Sequence, residues 1–542
     1  MTTSAANFGL SAAPAVEQVA HRPAPSHFCW VHKQFLIAVL TVACGLPSLV
    51  QRLVRRNSFL WSYAGRHFPS VSSAIAHRLA ILNCRLAGFT VPAYAETLRA
   101  CGIDRSARGL AMYPETNKEN YARAYPFADQ CRHGHLKMIG STVDESSGST
   151  GQPFNWVRSA VEVSNTHNLI ANYIRLYFPV DNLFCINAFS MGAWATGTTF
   201  NAAMQKIAIV KSPGPDVEAI IATLDTFGRD FDYLITAYPP FLKTLSDAMD
   251  ARGIPAGEYR LYAIVAGEPI TETLRHYLRR RFKTILSGYG ASDVGVGIAG
   301  ETPFTVTLRR LIAENAPLRH ALLGPDENRI PMIFQYNPFD VFIETNGDSE
   351  LLFTVIDSAS MCPKLRYNLK DEGKIFTIAE VVSILRQHDV GRLFGAETMT
   401  GILRLPVLVL FGRSDSTISV MGANIYPQDV ECGLYDDPEL ARQITGFCLG
   451  LDEHDDYRSL PTVHVALAQQ ISGEEKSNLE VVLGRAVSAY LGRVSRDYAN
   501  ARLEDPKTTE IRVCCHVWGE GPFDRGKARI KNRYLAPAAV HG

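Results

Sequence analysis

The chain reads as an α/β protein, with a large layered α/β domain followed by a small α+β domain. Three observations carry this. Short aliphatic and aromatic runs, NLFCINAF, YLITAY, RLYAIVAGEP, TILSGYG, PMIFQYN, VFIET and ELLFTVI, take turns with helix-like stretches such as DVEAIIATLDTFGRD and ITETLRHYLRRRF, and alternation of that kind builds layered sheets. Near the C-terminus PTVHVALAQ, EEKSNLEVVLGRAVSAYLGRV and TEIRVCCHVWG repeat a strand, helix, strand rhythm on the scale of a small domain. Finally, 542 residues at 46% hydrophobic and 20% charged supply ample apolar mass for burial. That composition excludes a disordered tail, a collagen-like chain and a disulfide-stapled miniprotein.

Taken in order, residues 1–27 are rich in Ala, Ser, Pro and Thr without periodicity and are expected to be mobile. Phe35 to Val50 is an uncharged run bounded by Lys33 and by Arg52, Arg55 and Arg56. It is shorter than the ~20 residues of a spanning helix, and Gly45 and Pro47 interrupt it near its end. Basic residues follow it where a signal peptide would carry a small-residue cleavage site. A packed helix is therefore favoured over a membrane anchor, with a peripheral membrane contact through the basic flank left open. VSSAIAHRLAILNCRLAGF has helical spacing, and the strand and helix alternation occupies the chain after it. The domain boundary is placed near Phe411 to Asp415, giving a large domain over 28–411 and a small one over 412–542.

Charge and cysteine usage narrow the function classes. Lys+Arg and Asp+Glu balance at 54 each, so there is no global attraction to nucleic acid. Eleven cysteines scattered without tight paired spacing suit a reducing, cytoplasmic setting. Cys131-Arg132-His133-Gly134-His135 places ligand-type side chains on alternate positions. A structural zinc needs four ligands, and no second cluster lies nearby, so an ordinary polar loop is the expectation.

The strongest local signal is Ser146-Ser147-Gly148-Ser149-Thr150-Gly151-Gln152-Pro153. Its glycines let backbone N–H groups turn toward an anion and its hydroxyls add donors, the composition of a phosphate cradle. It lacks the lysine and spacing of GxxxxGK[ST], which excludes the nucleotide-switch type of loop.

SSGSTGQP resembles the phosphate loop of the adenylate-forming superfamily: acyl-CoA synthetases, adenylation domains and luciferases. Further motifs follow in the family's order. Ala266-Gly267-Glu268-Pro269 resembles the adenine-contacting turn, in the form typical of the phenylacetate-CoA ligase branch, and Tyr289-Gly290-Ala291-Ser292-Asp293 resembles its YGxTE segment. Arg366-Tyr367-Asn368-Leu369-Lys370-Asp371 matches the RYRTGD frame at Arg, Tyr and Asp. Gly412-Arg413-Ser414-Asp415 with VMGANIYPQDVE resembles GRxDDxIxxxGxNIxPxxIE, and Gly526-Lys527 resembles the C-terminal lysine motif.

The resemblance implies ATP-dependent activation of a carboxylic acid, with ATP, Mg²⁺ and coenzyme A as reactants and cofactor, and an amine or carrier protein as alternative acceptors. A non-catalytic nucleotide or acyl binder is the reading from another class, and a homodimer is an open possibility. Ser147, Gly148, Ser149, Thr150 and Gly151 would hold phosphate, with Gly267, Glu268, Pro269, Tyr289, Gly290, Ala291 and Ser292 around the adenine. Tyr289 offers a flat face for stacking, Asp371 can accept from both ribose hydroxyls, and Arg413 is a permanent cation. Thr150 and Asp293 are the expected Mg²⁺ contacts, Asp293 being one methylene shorter than the usual Glu. Lys527 is the expected catalytic residue, Asp415 the hinge, and Phe189, Trp194 and Tyr238 the acyl pocket. Lys370, where the family has Gly, stands beside Asp371 as a competitor for its carboxylate.

Overall fold

The structure is a computed structural model that describes residues 27–523 except 68, 147–153, 193–194, 268, 271, 326, 328–329, 391–393, 395–402, 414–417, 426–428, 431–432, 435, 438–439, 441–442, 454–458, 468 and 518–520. Three helices open it: α1 (His27–Arg56), α2 (Ser58–His67) and α3 (Pro69–Thr90). The sequence suggested an interruption at Gly45 and Pro47, yet α1 continues through Pro47 for 30 residues. One face of it is seated on the body: Cys44, Ser48 and Arg55 are buried. Gln51 and Arg55 both donate to Asp340, and the Ser358 amide donates to Ser48 Oγ at 3.1 Å. Anchors on both sides of Pro47 offset the single backbone bond that its missing N–H removes.

An antiparallel hairpin follows, β1 (Thr142–Ser146) with β2 (Phe154–Arg158), pairing Ser146 with Phe154. Next come β3 (Leu183–Asn187), β4 (Ile209–Lys211), β5 (Asp232–Ala237), β6 (Arg260–Ala266), β7 (Phe282–Ala291), β8 (Gly295–Gly300) and β9 (Met332–Gln335). The large sheet is completed by β10 (Val341–Thr345), β11 (Glu350–Val355), β12 (Tyr367–Phe376) and β13 (Val407–Arg413). Among the described residues it has 11 strands in the order β10-β11-β12-β13-β9-β8-β7-β6-β5-β3-β4. β4, β3, β5, β6 and β7 run parallel, and the other neighbours are antiparallel. Leu183–Asn187 is buried throughout and Asp232–Ala237 nearly so, which is why these strands read as continuous apolar runs rather than alternations.

The smaller unit begins with the hairpin β14 (Ile418–Val420) and β15 (Ala423–Ile425), whose turn has Met421 at φ 48° and Gly422 at φ 79°. β16 (Ile444–Glu453), β17 (Ser459–Leu467) and β18 (Arg512–Val517) make a three-stranded sheet, β17 and β18 parallel. Helix 473–494 starts from a reciprocal Ser472/Glu475 cap and drives Leu483, Val487 and Leu491 into a core separate from that of the large sheet. The large sheet's last strand ends at Arg413, inside the Phe411 to Asp415 stretch where the boundary is placed from sequence.

Candidate active site

Parallel strands leave a crevice beyond their carboxyl ends, where ligands of open α/β sheets bind. Phe189 lies just past β3, Tyr238 just past β5, Gly267 just past β6, and Tyr289 near the end of β7. Ala266 pairs with Gly288, so the Gly267 turn and Tyr289 are neighbours across the β6–β7 ladder. Gly267 has φ 85°, and a Cβ there would stand 2.7 Å from the Tyr238 ring. The turn therefore requires glycine on two counts. Pro269 is exposed beside it, and Glu268 lies outside the described residues.

Two expected nucleotide contacts, Tyr289 and Asp371, meet directly. Asp371 pairs with Arg413 across β12–β13, and the Tyr289 hydroxyl donates to Asp371 Oδ2. Tyr289 is held by aromatic neighbours, its centroid 5.8 Å from that of Phe334 in a stacked arrangement and 6.3 Å from that of Phe353. Asp371 is 8% exposed, so one edge of its carboxylate is organised by Tyr289 inside the protein. Lys370 does not compete for it: at φ 66° the side chain turns away and its ammonium pairs with Glu350 at 3.1 Å.

Asp293 is not poised as a free metal ligand. It is buried, accepts from the Tyr367 hydroxyl at 2.9 Å and faces the Lys118 ammonium at 3.5 Å. A cation on this carboxylate would have to displace Lys118, and Thr150, the other expected Mg²⁺ contact, lies outside the described residues. Among the described residues no group of three or more His, Cys, Asp or Glu is arranged to hold a metal. Cys131 instead places its sulfur 3.0 Å from that of Cys362.

Several residues that the sequence reading passed over complete the site. Arg158 on β2 donates to Asp144 at 2.9 Å, to the Val294 carbonyl at 3.2 Å and to the Ser292 carbonyl, tying the hairpin that brackets the glycine-rich segment to the YGASD turn. Trp156 carries the Lys364 ammonium 4.4 Å from its ring centroid. Burial lowers the Lys364 pKa, and the neighbouring Arg158 charge acts in the same direction. A Trp on a short strand and isolated lysines carry no motif; only the fold brings them together.

The small unit closes over this end of the sheet. Ser419 Oγ donates to the Gly267 carbonyl at 3.3 Å, and Tyr238, Met421 and Gly422 line a crevice with helix 496–504. Ser190 Oγ donates to Glu504 at 2.7 Å. Burial, reinforced by the Glu145 charge, pushes Asp497 up to about 6. Phe189 is fully buried, 5.2 Å from Phe200 and 5.4 Å from Tyr238 between ring centroids; it backs Tyr238 instead of facing open space. Ser147, Gly148, Ser149, Thr150 and Gly151 lie outside the described residues, as do Trp194, Asp415 and Lys527.

No family model matches the chain. A phenylacetate-coenzyme A ligase of Aromatoleum evansii is 24% identical over 415 residues, covering 74% of this chain and 84% of that protein. One from Pseudomonas putida is 22% identical over 473 residues, 83% and 94% of the two chains, and one from Escherichia coli is 23% identical over 355 residues, 63% and 71%. The chain resembles phenylacetate-CoA ligases of the adenylate-forming superfamily at 22–24% identity. The fold of this ligase-like chain agrees with a 2-hydroxyisobutyryl-CoA ligase solved with 2-HIB-AMP and CoA, at a TM-score of 0.57 and 14% identity over 87% of this chain and 91% of that one.

Proposed function

We propose that the protein activates a carboxylic acid with ATP and passes the acyl group to coenzyme A. In the first half-reaction a carboxylate oxygen attacks the α-phosphorus of ATP, the bond to the bridging oxygen breaks, and pyrophosphate leaves. In the second, a thiol sulfur attacks the acyl carbonyl, AMP leaves, and the thiol proton passes to solvent. The observation that carries the reading is the Tyr289 hydroxyl on the buried Asp371 carboxylate, beside the Gly267 turn and with Arg413 opposite Asp371 in the β12–β13 ladder. It joins an aromatic face for a base to an acceptor for ribose hydroxyls.

Ser147 to Gly151 would hold the phosphates through backbone N–H groups. Lys527, in PFDRGKARIKNR, would bring a cation to the charge that develops between the two anionic reactants. No step is routed through Mg²⁺, because Lys118 and Tyr367 already engage Asp293. An aryl or other apolar acid suits Tyr238 and is supported by the relatives' printed substrate. Coenzyme A is favoured over an amine or carrier protein because all four curated relatives are coenzyme A ligases. A cytoplasmic setting belongs to the same proposal, supported by the scattered thiols. Acid-dependent exchange of labelled pyrophosphate into ATP tests the first half-reaction; exchange with no member of an aryl and aliphatic acid panel, while ATP binds, would overturn it.

A further inference from the structure

Half of the large apolar side chains that are exposed among the described residues fall between Phe35 and Ile75. They are not scattered. On α1, Phe35, Val39, Val42, Leu46, Leu49 and Leu53 are 47–66% exposed. At 3.6 residues per turn these six fall within one arc of roughly 80°. The residues that seat α1 on the body, Cys44, Ser48, Gln51 and Arg55, fall on the opposite side of the same helix. On α2, Phe59 and Tyr63 continue the exposed apolar surface, their ring centroids 6.2 Å apart and stacked, while Trp61 packs inward against Leu403 and Leu405.

Charge identifies what this surface fits. The chain has 54 acidic residues in 542, about one in ten, yet there is no Asp or Glu anywhere between Glu17 and Glu96. The same interval carries eight Lys and Arg. Of these, Lys33 and Arg56 are exposed near the two ends of the apolar stripe, and Arg78 is exposed on α3. An apolar strip on an acid-free, basic surface complements anionic headgroups over an acyl layer. A protein partner would add a requirement for acidic side chains around an apolar groove.

We propose that α1 and α2 dock the enzyme in the plane of an anionic lipid bilayer, with the Phe35-to-Leu53 stripe in the acyl boundary and the basic residues at headgroup level. Lys33–Arg56 is long and apolar enough to cross a membrane by length and composition. Its opposite face, however, is committed to the body through Asp340, Ser358 and Asn172, the last donating to the Arg55 carbonyl at 2.7 Å. A helix crossing the bilayer would have to break those contacts, whereas one lying in the interface keeps all of them. The inference stands on surface geometry and charge and does not depend on the catalytic reading.

The test is flotation of the full-length protein with liposomes of phosphatidylcholine alone or with 30 mol% phosphatidylserine (~30 %, enough to set a surface potential). The protein should float with the anionic vesicles and much less with neutral ones, and carbonate wash should release it. Val42→Glu with Leu46→Glu and Leu53→Glu changes only exposed positions, and should cut the bound fraction at least about tenfold with melting temperature and pyrophosphate exchange unchanged. Lys33→Gln with Arg56→Gln should reduce the preference for anionic lipid. Failure to float with either vesicle overturns the proposal. So does resistance to carbonate, which would mean a spanning helix, or a monodisperse dimer broken by the Glu variant without vesicle binding, which would mean a second copy covers the stripe.

Discussion

Asp371→Asn removes one anionic oxygen from a carboxylate whose other oxygen already receives the Tyr289 hydroxyl. Asn keeps an acceptor for Tyr289 but turns an N–H₂ toward the place where a ribose hydroxyl would donate, so a charge-assisted hydrogen bond is lost. Hydrogen bonds to charged groups are worth about 1.5–3 kcal/mol, which converts to roughly 10- to 150-fold in affinity at about 1.4 kcal/mol per factor of ten. The KM for ATP should rise by that amount in a coupled AMP-release assay, and the dissociation constant from calorimetry should rise with it. Tyr289→Phe leaves both carboxylate oxygens available and should change the KM for ATP by less than about fivefold. An unchanged KM for ATP in Asp371→Asn, with the loss confined to kcat, would refute the assignment of Asp371 to the ribose.

Further consequences can be measured together. Lys527→Ala should slow pyrophosphate exchange by at least about 10²-fold, while thioester formation from a supplied acyl-adenylate continues; retained exchange would remove Lys527 from the first step. Arg275 donates to both oxygens of fully buried Glu301, at 2.7 and 2.8 Å. Arg275→Met should therefore cost about 3–5 kcal/mol in denaturant titration by leaving that charge unpaired, and a loss near zero would contradict the pairing. Asp497, pushed up to about 6 by burial and by the Glu145 charge, binds its proton more tightly when helix 496–504 is docked than when it is released. Docking is thus favoured at low pH and weakens as pH rises through about 6. Amide exchange in 496–504 should speed up beyond the intrinsic rate between about pH 4 and about pH 6.5, the window from the ordinary carboxylate pKa to the raised one, and Asp497→Asn should remove the excess.

The sequence made the parallel strands legible because β3 and β5 are buried almost throughout and the middles of β6 and β7 are buried and largely apolar. Residues with fixed family spacing were legible for another reason: Gly267 needs positive φ, and Asp371 faces Arg413 in register. β1 and β2 were not legible, since both are only five residues long, TVDES is largely polar, and the two strands are specified by each other. Lys118, Arg158 and Lys364 were invisible for the same cause, because their partners lie far away in sequence. For α1 the run of apolar residues suggested packing, and Pro47 suggested a break. Local propensity missed that tertiary anchors carry the helix through the proline and leave one apolar face outward.

The most direct test of the central claim is AMP release by the purified protein from ATP with aryl and aliphatic acids, with and without coenzyme A, the product identified by mass spectrometry. The account predicts AMP formation that depends on coenzyme A and an acyl-CoA product from an apolar acid. Pyrophosphate release indifferent to coenzyme A, or no turnover across the panel in a protein that binds ATP, would contradict it.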